Sequence, residues 1–165
     1  MADRRRVAPG PGQESVWDYP RPPRLEQVSK HVLIVLGGVT IAETRRAYRV
    51  LETSHPPSFY LPPDDILDGA LAAADGSSFC EWKGGAGYYD VHGGDRIARR
   101  GAWFYASPTL SFAPIAGHVA FYPAAMDACF VDGDRVEPQE GGFYGGWVTP
   151  DIVGPIKGGP GTQGW

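Results

Sequence analysis

Lys30-His31-Val32-Leu33-Ile34-Val35-Leu36-Gly37-Gly38-Val39-Thr40-Ile41-Ala42-Glu43-Thr44 is the stretch that decides how this chain is read. Two runs rich in β-branched residues flank a Gly-Gly pair. Glycine takes the positive φ angles of a two-residue turn without strain, so the stretch predicts a β-hairpin. Working outward, residues 47–52 read as a third strand. Pro56-Pro57 and Pro62-Pro63 bracket Ser58-Phe59-Tyr60-Leu61 and predict an extended segment near a sheet edge. Pro63-Asp64-Asp65-Ile66-Leu67 has the proline and acids of a helix start, and the helix is expected to run to about residue 74. Strands are expected near 96–98, 101–105 and 117–122, with a turn at His92-Gly93-Gly94-Asp95. Residues 128–136 read as a hairpin about Asp132-Gly133. The sum is a mainly β fold, two packed antiparallel sheets or an open barrel, with one short helix near 64–74.

A chain of 165 residues is sized for one domain, one that buries roughly 70% of its unfolded surface. Its 23 glycines and 16 prolines favour turns over long helices. Residues 1–29 show no strand or helix period, yet Ser15-Val16-Trp17-Asp18-Tyr19-Pro20 carries two large aromatics. They read as an extended arm that packs on the domain or on a neighbouring subunit. Residues 30–136 read as the β domain. Residues 137–165 alternate glycine with aromatics, as in Gly141-Gly142-Phe143-Tyr144-Gly145-Gly146-Trp147, and read as a docking tail.

A net charge of −4 argues against a general nucleic-acid binder, and Arg4-Arg5-Arg6 reads as a solvated tail. The longest apolar run, Val32 to Leu36, is too short to span a bilayer, and no secretory signal is read at the N-terminus. The expected setting is cytoplasmic, with no membrane partner. Cys80 and Cys129 leave a single disulfide open but form no framework and no CxxC pair. His31, His55, His92 and His118 lack metal-ligand spacing, so no metal and no cofactor is expected.

The densest chemistry lies in Phe79-Cys80-Glu81-Trp82-Lys83-Gly84-Gly85-Ala86-Gly87-Tyr88-Tyr89. Lys83, between an aromatic and a glycine, reads either as a desolvated amine that binds an anion or forms a Schiff base, or as a strand lysine with its charge in water. Cys80 is a nucleophile only if a histidine, His118 or His92, lies beside it; a structural thiol is the commoner outcome. Glu43, Glu52 and Glu81 are acid/base candidates, and ion pairs with Arg45, Arg46 or Arg49 are the expected fate of at least two of them. Strand alternation places Glu43 and Arg45 on one face, where they would suit a polar ligand. Tyr60, Trp82, Tyr88, Trp103, Tyr105 and Tyr122 are either core rings or the walls of a cage.

Several segments resemble the bacterial family catalogued as domain of unknown function 427. They are Ile41-Ala42-Glu43-Thr44-Arg45-Arg46-Ala47, Arg49-Val50-Leu51-Glu52-Thr53, Phe59-Tyr60-Leu61-Pro62-Pro63-Asp64-Asp65, Cys80-Glu81-Trp82-Lys83-Gly84, Ala102-Trp103-Phe104-Tyr105 and Pro114-Ile115-Ala116-Gly117-His118-Val119-Ala120-Phe121-Tyr122-Pro123. The resemblance spans about residues 32–136, and the aromatic arm and Gly/Trp tail are similar to those of a longer subgroup. It implies a β-tent-like fold, two sheets meeting at an angle with a pocket between or beside them. The two Cys pairs that hold zinc in many β-tent relatives are absent. The family has carried a nucleotidyltransferase-like name, but the chain has neither a Gly-Ser with paired aspartates nor a P-loop.

The leading expectation is a small-molecule-binding β domain with a pocket around Lys83 and the aromatics, its arm and tail building a homo-oligomer. The alternative is a cofactor-independent enzyme on a small polar metabolite, with Lys83 or Cys80 reactive and Glu43 or Glu81 as acid/base. A structural or oligomerisation role is third.

Overall fold

The structure, a computed structural model, describes residues 5–141 and 144–165. Arg4 of the basic cluster and Gly142 and Phe143 of the tail lie outside the described residues. In chain order the strands are β1 (Glu14–Ser15), β2 (Arg24–Gln27), β3 (Val32–Leu36), β4 (Val39–Thr44), β5 (Tyr48–Leu51), β6 (Ser58–Tyr60), β7 (Leu71–Cys80) and β8 (Gly84–Gly93). They continue with β9 (Arg96–Phe104), β10 (Val119–Phe121), β11 (Ala128–Val131), β12 (Asp134–Arg135), β13 (Glu137–Pro138), β14 (Trp147–Val148) and β15 (Ile152–Val153).

The deciding hairpin forms as read. β3 and β4 pair antiparallel from Leu36↔Val39 to Val32↔Thr44, and Gly37 and Gly38 turn the chain at φ 60° and 75°. β11 joins β3, giving a sheet of order β12-β11-β3-β4. A second antiparallel sheet runs β10-β9-β8-β7, and a third β2-β5-β6. Leu61 and Val119 exchange backbone hydrogen bonds of 2.8 and 2.9 Å, which joins the third sheet to the edge of the second. Both sheets remain open, so no barrel closes.

Period-two alternation gives the joined sheets two buried faces. Phe59, Ala102, Val119 and Phe121 pack with Ile34, Leu36 and Ile41 of the first sheet in the main core. Their chain neighbours Tyr60, Trp103 and Ala120 belong to a second cluster with Tyr105, Phe112 and Ile115. That second face carries the site.

The helical segment expected near 64–74 is realised as one 3-10 turn, Pro63–Asp65. Beyond it the chain is strand: Ala72, Ala73 and Ala74 pair with Asp90, Tyr89 and Tyr88. Proline and acids start a turn, but the Leu67 N–H is taken by the Ile41 carbonyl at 2.8 Å, and the small residues that follow have no apolar helical stripe to bury. The two strands expected over 96–105 are one strand, β9, interrupted by a bulge at residues 99–100.

The segment expected as an extended arm, residues 1–29, contains strand β2, which pairs along its length with β5. β1 pairs in parallel with β15, and Val16, Tyr19, Leu51 and Ile152 form a third small cluster. The Trp17 indole donates to the Pro155 carbonyl at 2.8 Å, and its ring lies 5.5 Å from that of Trp165. Arm and tail thus close on their own chain. Arg49, 7% exposed, donates to both Glu14 and Glu26 and ties β1, β2 and β5 together. The arginines therefore do not pair as expected: Arg46 binds Asp65 at 2.9 Å, Glu43 binds His31 at 2.6 Å, and Glu52 is 3.4 Å from Arg21. Among the described residues no helix is long and apolar enough to cross a membrane.

Candidate functional site

A cavity of about 350 Å³ opens on the second face of the joined sheets. The strands supply Val50, Tyr60, Ala86, Tyr88 and Trp103, and Tyr105 and Tyr122 follow β9 and β10 directly. The end of β7 adds Cys80, and the turn to β8 adds Glu81, Trp82 and Lys83. The β5–β6 connection adds Glu52 and His55, and the tail adds Gln139, Tyr144, Gly145 and Lys157.

The aromatic walls are interlocked. The Trp103 indole donates to the Tyr60 hydroxyl at 3.2 Å, and Trp103 lies 4.5 Å from the Tyr122 ring. Burial is the main cause that pushes the hydroxyl pKa of Tyr60, Tyr105 and Tyr122 above the usual tyrosine value. These hydroxyls therefore stay protonated and neutral across the physiological range.

Lys83 sits on a turn that is fixed from outside. The Thr109 N–H donates to the Lys83 carbonyl at 3.0 Å, and the Thr109 hydroxyl donates to the Trp82 carbonyl at 2.6 Å. The Lys83 ammonium lies 5.8 Å from the ring centres of both Tyr105 and Phe112. Among the described residues it makes no ion pair.

Gln139 docks the tail against the cavity: its amide donates to the Lys157 carbonyl at 2.7 Å and to His55 Nδ1 at 3.1 Å. That contact assigns the neutral His55 proton to Nε2, which lies 3.7 Å from Glu52. Burial lowers the His55 pKa, and the ammonium groups of Lys157 and Lys83 push the same way against Glu52. A histidine whose folded pKa lies below its unfolded value contributes stability that is full above about pH 6.5 and is lost as pH falls from there through the lower folded pKa. His118, also lowered by burial, adds in the same direction. Urea midpoints should therefore fall between about pH 7.5 and pH 5.5, and His55→Gln should flatten part of the fall. A midpoint that rises on acidification would contradict this placement.

Both cysteines are free. Cys129 is 1% exposed, and burial pushes its pKa up to about 12. Cys80 is half-buried on the cavity wall. Iodoacetamide at about pH 8 should label the native protein at Cys80 alone and the unfolded protein at both. Equal labelling rates in the native state would show that one placement is wrong.

Of the residues singled out in the sequence, Lys83, Cys80, Tyr60, Trp82, Tyr88, Trp103, Tyr105 and Tyr122 line this cavity, as do two of the three acid/base candidates, Glu52 and Glu81. Glu43, Arg45 and His118 do not. Glu43 is exposed on β4, bound to His31, and Arg45 is exposed beside it. His118 packs edge-on to Tyr48 at 5.7 Å, its buried Nδ1 without a hydrogen bond among the described residues. The residues missed are His55, Gln139, Tyr144 and Lys157. For the three tail residues the signal was the glycine–aromatic alternation, which marks docking but not its target; His55, in the β5–β6 connection, carried none. Among the described residues no three His, Cys, Asp or Glu side chains converge to hold a metal ion.

Compared with known sequences, residues 24–132 match the profile of a family described as Domain of unknown function (DUF427). No curated protein matches the chain.

Proposed function

The chain belongs to the DUF427 family, and from that premise we propose that it is a small-molecule-binding protein whose ligand is planar and carries an acidic group. The observation that carries this reading is Lys83, an ammonium on an aromatic cavity wall without an ion pair among the described residues. Glu52 and Glu81 share the cavity lining, but neither forms an ion pair with Lys83. A cation beside rings without an ion-paired carboxylate is electrostatically incomplete, and an incoming anion completes it. The neutral tyrosine hydroxyls add donors, and Trp103, Tyr88 and Tyr122 add flat faces. A volume of about 350 Å³ suits a ligand of one or two fused rings, at the small end of ordinary ligand sites.

The test is a tryptophan-fluorescence titration with naphthoate and with its uncharged amide, on wild type and Lys83→Met. Naphthoate should bind at least about tenfold tighter than the amide, since a charge-assisted hydrogen bond contributes about 1.5–3 kcal/mol. The variant should lose that preference. Equal affinity for acid and amide in the wild type would overturn the reading.

A further inference from the structure

A further cation, Arg100, lies against Tyr88, a ring of the same aromatic wall. β9 bulges opposite Asp90, and Arg100 takes φ 49° there, a left-handed conformation costly for a residue with a side chain. Its N–H donates to Asp90 Oδ1 at 2.8 Å, while Arg99 takes Oδ2 at 3.3 Å. The Arg100 guanidinium is thereby left to lie over the Tyr88 ring, 4.1 Å from its centre. β7 makes room with its own irregularity between Ala74 and Ser77. A Cβ at Gly76 would stand 3.0 Å from Arg100 Nη2, so a side chain there would press on the guanidinium. Bulges that re-aim one side chain are found beside binding sites.

Arg100 lines an open cavity of about 580 Å³. That cavity shares Tyr88 and Tyr122 with the one holding Lys83. Among the described residues the Arg100 guanidinium makes no ion pair. Lys83 lines one cavity and Arg100 the other, and the two cavities share a pair of tyrosines. From this we infer that Arg100 is a second anion-binding residue, and that the ligand is an elongated aromatic molecule with an acidic group at each end. The inference rests on the proposed binding function and specifies its ligand class. A guanidinium stacked flat on a ring keeps its edge N–H groups available for a carboxylate or phosphate.

The experiment titrates the full chain with naphthoate and naphthalene dicarboxylate, and with biphenyl carboxylate and para-linked biphenyl dicarboxylate. At least one diacid should bind about tenfold tighter than its monoacid. In Arg100→Gln diacid and monoacid should bind alike, and Arg100→Lys, which lacks the planar fork, should fall between. If a monoacid binds but no diacid binds tighter, or if Arg100→Gln keeps the diacid preference, the inference is overturned and the binding function stands. If no member of the panel binds, both are overturned. Circular-dichroism melts of the variants separate lost binding from lost fold.

Discussion

Replacing Gly37 with alanine should destabilise the protein markedly more than replacing its turn partner Gly38. Both residues take positive φ, 60° and 75°, so each alanine meets the left-handed cost of about 1–2 kcal/mol. The surroundings differ. A Cβ at Gly38 would meet nothing within 4 Å, whereas one at Gly37 would enter the Gly93 carbonyl, with its carbon at 2.7 Å and Gly94 N at 3.2 Å. Gly37 caps the β3–β4 hairpin of the first sheet, and Gly93 ends β8 of the second, so the obstructing atoms are backbone on both sides. Backbone yields poorly, and overpacking adds about 1–3 kcal/mol. The expected totals are about 2–5 kcal/mol for Gly37→Ala and about 1–2 kcal/mol for Gly38→Ala. Urea midpoints of both variants measure the difference directly. Equal losses would mean that the two turns do not meet.

The second large effect is expected at Trp147. This residue of the tail is 1% exposed, packs with its ring tilted 5.0 Å from that of Phe59, and donates its indole N–H to the Phe121 carbonyl at 3.0 Å. It belongs to the main core, although it lies beyond the residues the family profile covers. Trp147→Ala removes a large buried ring and should cost about 3–5 kcal/mol. Trp147→Phe keeps most of the volume but strands the Phe121 carbonyl, and should cost about 1–3 kcal/mol. Tyr144 and Gly145 line the cavity just before this anchor. Trp147→Ala should therefore also abolish naphthoate binding under conditions where circular dichroism shows the strands intact. An unchanged urea midpoint would show that the tail is an ornament on the fold rather than part of its core.

The strands around the two hairpins were legible because their signals are local. Gly37-Gly38 and Asp132-Gly133 set turn geometry within two residues, and β-branched runs set the flanking pairing. The helix near 64–74 was misread in extent because a helix start is also local, whereas its continuation depends on a stripe to bury. Residues 71–74 spend their backbone hydrogen bonds on β8 instead. The ion pairs were misassigned for a related reason. Arg49 was placed correctly on a strand, but its carboxylate partners come from Glu14 and Glu26, in the segment read as an extended arm.

The amino-acid sequence by itself determined the mainly β class, the hairpins, the family, and the Cys80–Tyr89 segment as the densest chemistry. Each follows from residue type and short-range spacing. Only the tertiary structure decided which of those side chains share a cavity. It set Lys83, Tyr60 and Trp103 on one face and left Glu43 on another sheet. It also brought His55 and Lys157, about a hundred residues apart, to the same wall, and laid Arg100 across Tyr88 through two facing irregularities. Period-two alternation tells which neighbours along a strand point the same way. It does not tell which strand, turn or tail will be folded over them, because that is decided by the sum of long-range contacts.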